Sequence, residues 1–344
     1  MVQLHSRGIL DVGGNTSCRP NKQKFYDSMK ILITGAAGNL GSFLARSMLD
    51  SSHELRLMIH ERELPFDIET YEHVSVFRAD LSDPETLAEA CRGADCIVHF
   101  AGVLFRPWPE RFLPETNLEY VRNLVNVALE GDVNKFILIS FPHVEGETTP
   151  NSPAIGRRDG KPDSIHAQTR LEAELYLFSA CEGRAMTPIV LRPGMIYAQG
   201  VLMIDAARRL LSHRLLSVWR TPTWIHLLSL PDFISCVLAT IDYENVEGIY
   251  NLGDDETITL QAFLDRAAAT WGCPRPWRAP KWGFYLAAFF VEVFASVFRK
   301  SAPITRDFIR IGMASYFSDT SRMKAELLPE LAYPTLDEGV DLLA

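Results

Sequence analysis

The sequence predicts an α/β protein built on a doubly wound parallel sheet, followed by a smaller C-terminal portion. Short apolar runs alternate with segments of helical periodicity through the first half of the chain, and parallel strands need such crossover connections. Three glycines at G-x-x-G-x-x-G spacing follow the first apolar run. After the sixth predicted strand the pattern becomes mainly helical, as at 203–214 and 260–271.

The elements of the first half can be assigned in order from their flanking residues. Strands are predicted at 31–34, 54–59, 74–78, 96–100, 135–140 and 188–191. Helices are predicted from Leu40 onward, from Pro84 onward, at 115–129 and at 164–181. Ligands of such sheets bind at the carboxyl ends of the strands, so functional residues should directly follow each strand.

The segment after the first strand is typical of a dinucleotide-binding unit. Gly35 permits a tight turn, Gly38 lets backbone N–H groups approach a pyrophosphate, and Gly41 lets the helix pack closely on the strand. The N-terminus of that helix offers unpaired N–H donors to phosphates. The predicted cofactor-binding residues of this loop are Gly35, Ala37, Gly38, Asn39, Leu40 and Gly41.

This unit indicates a Rossmann-type NAD(P)-binding domain at 29–193, to which parts of 225–255 return. The remainder, mainly 194–344, is predicted to be a substrate-capping portion. Residues 1–28 are polar and irregular, lack the apolar core of a signal peptide, and are expected to be disordered.

The end of the second strand bears on the choice of cofactor. Glu61 and Arg62 lie about twenty residues beyond Gly41, where an acidic side chain binds the adenosine ribose hydroxyls and a basic one a 2′-phosphate. Glu61 favours NAD, while Arg62 and His60 leave NADP open. The next two strands end at further predicted cofactor contacts, which are Asp80, Leu81, Phe100, Ala101 and Gly102.

Composition narrows the classes of partner. The 344 residues carry a net charge of −9 without any run of Lys and Arg, so no nucleic-acid partner is expected. Six cysteines show neither C-x-x-C nor zinc-like spacing, which indicates reduced thiols in a cytoplasmic protein. No metal site is predicted, because the histidines lack ligand partners at suitable spacing.

One apolar segment stands apart from the rest of the chain. Residues 282–298 are interrupted only by Glu292 and Ser296, and their length is at the lower limit for a membrane span. A glutamate in the middle argues against a span. We expect a buried helix, which would suit the subunit interface of a homodimer, with a membrane-docked helix as the alternative because basic residues flank it.

From these motifs the chain resembles the extended short-chain dehydrogenase/reductase family, the NAD-dependent epimerase/dehydratase group, over about 29–340. The residues that carry the resemblance are TGAAGNLG at 34–41, ADLSD at 79–83, VHFAG at 98–102, Asn117, LRPG at 191–194 and YNLG at 250–253. The 280–320 region is most similar to the 3β-hydroxysteroid dehydrogenase-like branch. The resemblance adds Asn117, Arg170 and Pro193 to the expected cofactor contacts.

The resemblance implies a catalytic Ser or Thr after strand five and a Tyr-x-x-x-Lys pair on the next helix, where the lysine lowers the pKa of the tyrosine and holds the nicotinamide ribose. This sequence departs from that pattern. Phe141 falls at the Ser/Thr position with Ser140 one residue away, His166 falls at the tyrosine position, and Arg170 falls at the lysine position. The triad is therefore degenerate, and Ser140, His166 and Arg170 are the candidate catalytic residues.

Two hypotheses follow from this departure. In the first, the protein is an oxidoreductase or epimerase acting on a secondary alcohol or ketone of a small molecule, and Arg170 depresses the pKa of His166 so that a neutral imidazole accepts a proton. In the second, it binds NAD(P) without turnover, as a sensor or scaffold. His143, Glu145 and Asp159 on the loop 141–163 are further acid or base candidates. The substrate is expected to be a sterol-like or other apolar alcohol, with a sugar nucleotide as the alternative.

Overall fold

The computed structural model describes residues 28–102, 106–298, 300, 302 and 304–344. Of the predicted disordered extension, 1–28, only Ser28 falls within this part, and the rest lies outside the described residues.

A seven-stranded parallel sheet forms the centre of the molecule. Its strands are β1 (Lys30–Thr34), β2 (Glu54–Ile59), β3 (Val74–Arg78), β4 (Cys96–His99), β5 (Lys135–Ile139), β6 (Thr187–Pro193) and β11 (Gly248–Leu252). Their order is β11-β6-β5-β4-β1-β2-β3, with every pair parallel. The strand order reverses direction at β1, which confirms the predicted doubly wound sheet.

Three two-stranded sheets lie outside the central one. They are formed by β7 (Met195–Tyr197) with β10 (Leu227–Ser229), β8 (Ser217–Trp219) with β13 (Trp277–Ala279), and β9 (Trp224–Ile225) with β12 (Ile258–Thr259). All of their strands come after β6, so they belong to the C-terminal portion and its return to the sheet.

Eleven α-helices are formed by the described residues. They are α1 (Asn39–Ser47), α2 (Pro84–Cys91), α3 (Tyr120–Glu130), α4 (Ile165–Cys181), α5 (Leu202–Ser212), α6 (Leu230–Asp242), α7 (Leu260–Thr270), α8 (Lys281–Phe298), α9 (Arg306–Met313), α10 (Ser321–Glu326) and α11 (Leu336–Gly339). A π-helical segment, Pro114–Glu119, leads into α3, and short 3₁₀ turns occur at Pro109–Arg111, Pro142–Glu145 and Val340–Leu343.

The core lies on both faces of the central sheet, because successive strand residues point to opposite sides. Ile31 and Ile33 of β1 pack in one cluster with residues of α1 and α6, while Leu32 packs in a second cluster with residues of α2, α3 and α4. A sheet covered by helices on both faces presents its carboxyl edge as the open surface, which is where the candidate site lies.

The prediction of a buried helix at 282–298 is wrong within the protomer. Helix α8 is formed as expected, but only 17% of its length is buried, and side chains such as Phe290 and Val297 are 61% and 70% exposed. Glu292, in contrast, is buried against α9. By length and composition α8 is the one helix among the described residues that could cross a membrane.

Candidate active site

The glycine turn after β1 has the geometry that its spacing predicts. Gly35 adopts φ +72°, and a Cβ there would lie 2.9 Å from the backbone nitrogen of Ala101. The N–H of Gly38 donates to the carbonyl of Gly35 at 2.8 Å, and α1 starts at the next residue. A Cβ on Gly41 would lie 2.3 Å from the same carbonyl, so α1 packs against the turn at a distance only glycine allows. The turn therefore directs the N-terminus of α1 to the edge of the sheet.

Asn39 joins this turn to the C-terminal portion. Its side-chain amide donates to the carbonyl of Gly200 at 2.7 Å and accepts from the N–H of Leu202 at 2.8 Å. Leu202 is the first residue of α5, so Asn39 satisfies one of the free N–H groups at that helix N-terminus. The fingerprint loop and the start of α5 are thus held together by one side chain.

The ends of β2 and β3 come together beside the glycine turn. The His60 ring nitrogen Nε2 lies 3.5 Å from the carboxylate of Asp80. The backbone N–H of Ser82 donates to this carboxylate and lowers the pKa of Asp80, with His60 contributing in the same direction. Glu61 and Arg62 are both exposed in the turn after β2, where either could reach a ribose.

Arg170 projects from α4 toward the end of β4. Its Nη2 lies 3.5 Å from the side-chain oxygen of Asn117, and a Cβ on Gly102 would lie 3.6 Å from the same nitrogen. Asn117 is itself fixed because its amide donates to Thr169 at 3.1 Å. The Nε and Nη1 atoms of Arg170 are buried and have no hydrogen-bond partner among the residues that the structure describes. A buried guanidinium with unused donors is costly, which indicates a group that is completed by a bound ligand.

His166 lies one turn before Arg170 on α4. Its ring centre is 5.3 Å from that of Phe141, which follows β5. Burial, the Arg170 cation and His143 together lower the pKa of His166 to about 3. Sequence reasoning identified the effect of Arg170, but burial is the larger cause. Burial and Arg170 similarly lower the pKa of His99, at the end of β4, to about 3, so both imidazoles at this edge are neutral.

The N-terminus of α4 is held by a residue that sequence reasoning missed. The carboxylate of Asp307 on α9 accepts the backbone N–H groups of Ile165 and His166, at 2.9 and 3.2 Å. Burial raises the pKa of Asp307, and these two N–H groups oppose that shift. Asp307 therefore positions the turn that carries His166. Thr305 in the sequence signals the start of α9, which it caps, but it does not indicate that Asp307 binds the start of α4.

Of the three candidate catalytic residues, Ser140 is engaged elsewhere. Its hydroxyl donates to Glu174 at 2.5 Å, and Glu174 also accepts from Arg192. Arg192 is fully buried and binds Glu145 at 2.7 Å as well. This buried network holds the start of the loop 141–163, whereas Phe141 faces His166. The sequence analysis named Arg192 only as part of the LRPG motif, although a charged residue in a buried strand must be paired.

His143 also lies on this loop, close to the other two rings. Its ring centre is 5.7 Å from that of Phe141 and 4.3 Å from that of Tyr316. Burial lowers the pKa of His143 to about 4, partly opposed by the backbone of Ile311. A cavity of about 190 Å³ adjoins it, below the size of ordinary ligand pockets. Its lining includes His143, Ser164, Ala167, Arg310 and Met313.

These observations fit a dinucleotide. The glycine turn brings the N-terminus of α1 to the edge of the sheet with no side chain at Gly35, Gly38 or Gly41, Arg170 has unused donors, and Gly102 has no side chain beside it. Among the described residues, no group of three or more His, Cys, Asp or Glu side chains could hold a metal ion. The fold and the site define a dinucleotide-binding α/β protein.

Comparison with known proteins gives the family. A family model, NAD dependent epimerase/dehydratase family, matches residues 31–253. A uronate dehydrogenase of Pseudomonas syringae pv. tomato is 26% identical over 230 residues, which are 67% of this chain and 76% of that protein. A 3-beta-hydroxysteroid dehydrogenase of Mycolicibacterium neoaurum is 22% identical over 183 residues, 51% of this chain and 49% of that one.

Solved structures agree with the fold. The NAD complex of Thermus thermophilus UDP-glucose 4-epimerase superposes with a TM-score of 0.69 at 20% identity, covering 92% of this chain and 97% of that one. The protein belongs to the NAD-dependent epimerase/dehydratase family. The family is NAD-dependent, as the resemblance implied, and the relatives named here are two dehydrogenases and an epimerase.

Proposed function

We propose that the protein oxidises a secondary alcohol of a small molecule, or reduces the corresponding ketone, with His166 and Arg170 in place of the usual tyrosine and lysine. The observation that carries this proposal is the arrangement on α4. His166 and Arg170 lie one turn apart on the same face, and the Arg170 guanidinium reaches Asn117 while keeping two buried donors unused.

The residues have separate tasks in this proposal. Arg170 uses its free Nε and Nη1 donors to hold the ribose next to the nicotinamide, which supplies the hydride acceptor when NAD is bound. Neutral His166 accepts a hydrogen bond from the substrate hydroxyl and takes its proton as the carbonyl forms. Phe141 excludes water from one side of the imidazole. Asp307 holds the turn of α4 on which His166 sits.

The substrate class that we favour is an apolar secondary alcohol. The related 3-beta-hydroxysteroid dehydrogenase supports this class, and aromatic side chains of Phe141 and Tyr316 surround the histidines. The alternative is a sugar or nucleotide sugar, which the related uronate dehydrogenase and the UDP-glucose 4-epimerase favour. Arg208 and Arg209 are exposed on α5 and could bind a diphosphate.

A non-catalytic NAD-binding role is the second candidate, and one observation favours it. Because the pKa of His166 lies near 3, protonating this ring at pH 7 costs about 5 kcal/mol, at about 1.36 kcal/mol for each pH unit. Ser140 does not compensate for the low basicity of His166, since its hydroxyl is bound to Glu174. A sensor or scaffold needs the cofactor site but not this proton transfer.

Replacing His166 by Phe distinguishes the two functions. If His166 accepts the proton, kcat with NAD and a panel of sterol-like alcohols, uronates and nucleotide sugars should fall by roughly 10²–10⁴-fold. The dissociation constant for NAD, from calorimetry, should stay within about twofold, because His166 does not hold the cofactor. The exposed His213→Phe serves as the matched control and should change neither quantity.

The pH profile gives a second readout. The pKa of His166 is lowered, so the ring is neutral well above pH 3 and its titration should leave kcat/KM flat between pH 5 and 8. An unchanged kcat in His166→Phe would exclude His166 as the proton acceptor and make His143 the next candidate. Tight NAD binding without turnover of any alcohol, ketone or nucleotide sugar would establish the non-catalytic role.

A further inference from the structure

Helix α8 carries an apolar face that none of the described residues covers. Six of its side chains recur at helical intervals on one side, and all are exposed. They are Trp282, Leu286, Phe290, Val293, Phe294 and Val297. We call these residues the α8 face. The opposite side, with Ala288, Glu292 and Ala295, is buried against the protein.

The α8 face lies at or above the upper end of the apolar patches of ordinary monomers. With maximal areas of about 150–250 Å² for large side chains, the exposed fractions of the six residues sum to roughly 500–850 Å². The largest apolar patch on a typical monomer is about 300–600 Å², and patches above that size mark interaction sites. The ring of Phe289 and the side chain of Phe298 extend the face on either side.

No charge interrupts this surface. The one acidic residue of α8, Glu292, points inward. Its carboxylate accepts two hydrogen bonds from Arg306, one from the backbone N–H at 2.9 Å and one from the side-chain Nε at 2.7 Å. Arg306 also lies over the Phe289 ring, 5.6 Å from its centre. Glu292, whose charge is unfavourable in a membrane span, is thus paired with Arg306 on the inner side of α8. The helix cannot cross a bilayer without breaking this ion pair.

The charges at the ends of α8 are basic, in contrast to the chain as a whole. From residue 273 to residue 300 the sequence has five basic residues and one acidic residue, although the net charge of the protein is −9. Lys281 and Lys300, one at each end of α8, are exposed. Arg220 is exposed near the first end, where its backbone N–H binds the carbonyl of Ala279 at 3.2 Å. Trp277 and Trp282 lie at the same end and are each 69% exposed.

We propose that the α8 face docks on a lipid bilayer that contains anionic headgroups, with the helix lying in the plane of the interface. An apolar helix face with tryptophan at its end and basic residues at its rim matches the chemistry of that interface. A protein interface of this size would instead have a rim of mixed polar groups that form hydrogen bonds. This proposal does not depend on the oxidation chemistry proposed above.

The docking surface adjoins the candidate active site through α9. Arg306, which holds Glu292, is followed by Asp307, which holds the turn of α4 that carries His166. Arg306 also lies over the ring of Trp108, 5.3 Å from its centre. Docking therefore places the bilayer next to α9 and, through Asp307, next to the turn of α4 that carries His166.

Vesicle flotation tests the proposal with the full-length protein. Wild-type protein should float with vesicles of phosphatidylcholine and phosphatidylglycerol at low salt, and Phe290→Ser/Phe294→Ser should lower the partition coefficient at least tenfold. Both rings are exposed, so this variant should keep the far-UV circular dichroism and NAD affinity of the wild type. The matched control is Ile155→Ser/Leu175→Ser, which removes two exposed apolar side chains elsewhere and should still float.

Three results would overturn the proposal. The first is wild-type protein that stays at the bottom of the gradient. The second is a Phe290→Ser/Phe294→Ser variant that floats as well as the wild type. The third is a wild-type dimer in light scattering that this variant converts to a monomer, without any vesicle binding, since the occupant of the α8 face would then be a second copy of the chain.

Discussion

Replacing Arg192 by Met should destabilise the protein in a way that depends on pH. Arg192, the last residue but one of β6, is fully buried. Its guanidinium donates to Glu174 at 3.2 and 2.5 Å, to Glu145 at 2.7 Å and to the carbonyl of Arg157 at 3.0 Å. Methionine has a similar volume and no charge, so the substitution removes the cation without opening a large cavity.

The substitution would affect the carboxylates of Glu145 and Glu174 to different extents. Glu145 keeps the backbone N–H groups of Gly156 and Ile155, at 2.8 and 3.2 Å, and has Arg157 at 3.7 Å. Among the described residues Glu174 keeps only the hydroxyl of Ser140 as a hydrogen-bond donor, with the Arg170 cation interacting at longer range. A buried carboxylate that has lost its cation avoids the cost of a buried charge by taking up a proton. For an ordinary glutamate, which ionises near pH 4.3, this protonation costs about 3.7 kcal/mol at pH 7. The free energy of unfolding should therefore fall by about 3–4 kcal/mol at pH 7.

The sign of the pH effect follows from the proton uptake. In the variant the folded state binds one more proton than the unfolded state, so the loss of stability should shrink by about 1.4 kcal/mol for each pH unit below 7. Urea unfolding at pH 7 and pH 5.5 measures both values. Arg192→Met/Glu174→Gln is the matched control, and it should recover most of the loss and all of the pH dependence. A loss that is the same at both pH values would refute the reasoning, because it would show that packing and not the unpaired carboxylate dominates.

Two further substitutions test the cofactor site. Gly38→Val should abolish NAD binding in calorimetry, because a Cβ at Gly38 already meets the Gly35 carbonyl at 2.9 Å and the larger side chain enters the space for the pyrophosphate. Gly283→Ala, whose Cβ meets open space, is the control and should bind NAD normally. Wild-type affinity in Gly38→Val would disprove the site. Glu61→Ala should raise the affinity for NADP relative to NAD, because it removes a carboxylate that repels a 2′-phosphate. Glu69→Ala, at another exposed glutamate, is the control and should leave this ratio unchanged. An unchanged ratio in Glu61→Ala would show that Glu61 lies away from the ribose.

The central sheet could be predicted from the sequence because local signals and tertiary structure agree there. The predicted bounds of the second and third strands, 54–59 and 74–78, are those of β2 and β3. Ser164 lies directly before α4, and its hydroxyl accepts the N–H of Ala167 as an N-cap should. The helix predicted at 115–129 instead starts as a π-helical segment and becomes α-helical at Tyr120, a change in hydrogen-bond register that periodicity does not detect.

The site was harder to predict, because its important contacts join distant parts of the chain. Asn39 was predicted from its place in the glycine loop, yet its side chain binds Gly200 and Leu202, more than 160 residues away. Asp307 binds the start of α4 from 141 and 142 residues away. The exposure of α8 within the protomer was not predicted, for a different reason. Hydrophobicity shows that a helix avoids water, but it does not show whether protein, a second chain or lipid covers it.

The substitutions at positions 166 and 170 are easier to understand together than one at a time. In the pattern that the sequence resembles, a cation beside a tyrosine disfavours the protonated phenol, and the result is a negatively charged base. Arg170 beside His166 acts in the same direction, since it lowers the pKa of the imidazole, but the result is a neutral ring. Lowering the pKa therefore creates the base when the residue is a tyrosine, but it weakens the base when the residue is a histidine, because an imidazole is already largely neutral near pH 7. Neutral His166 can take a proton from an alcohol but carries no acidic proton for a ketone, so its state suits oxidation better than reduction, and it must pass the proton on at once because an imidazolium next to Arg170 is disfavoured.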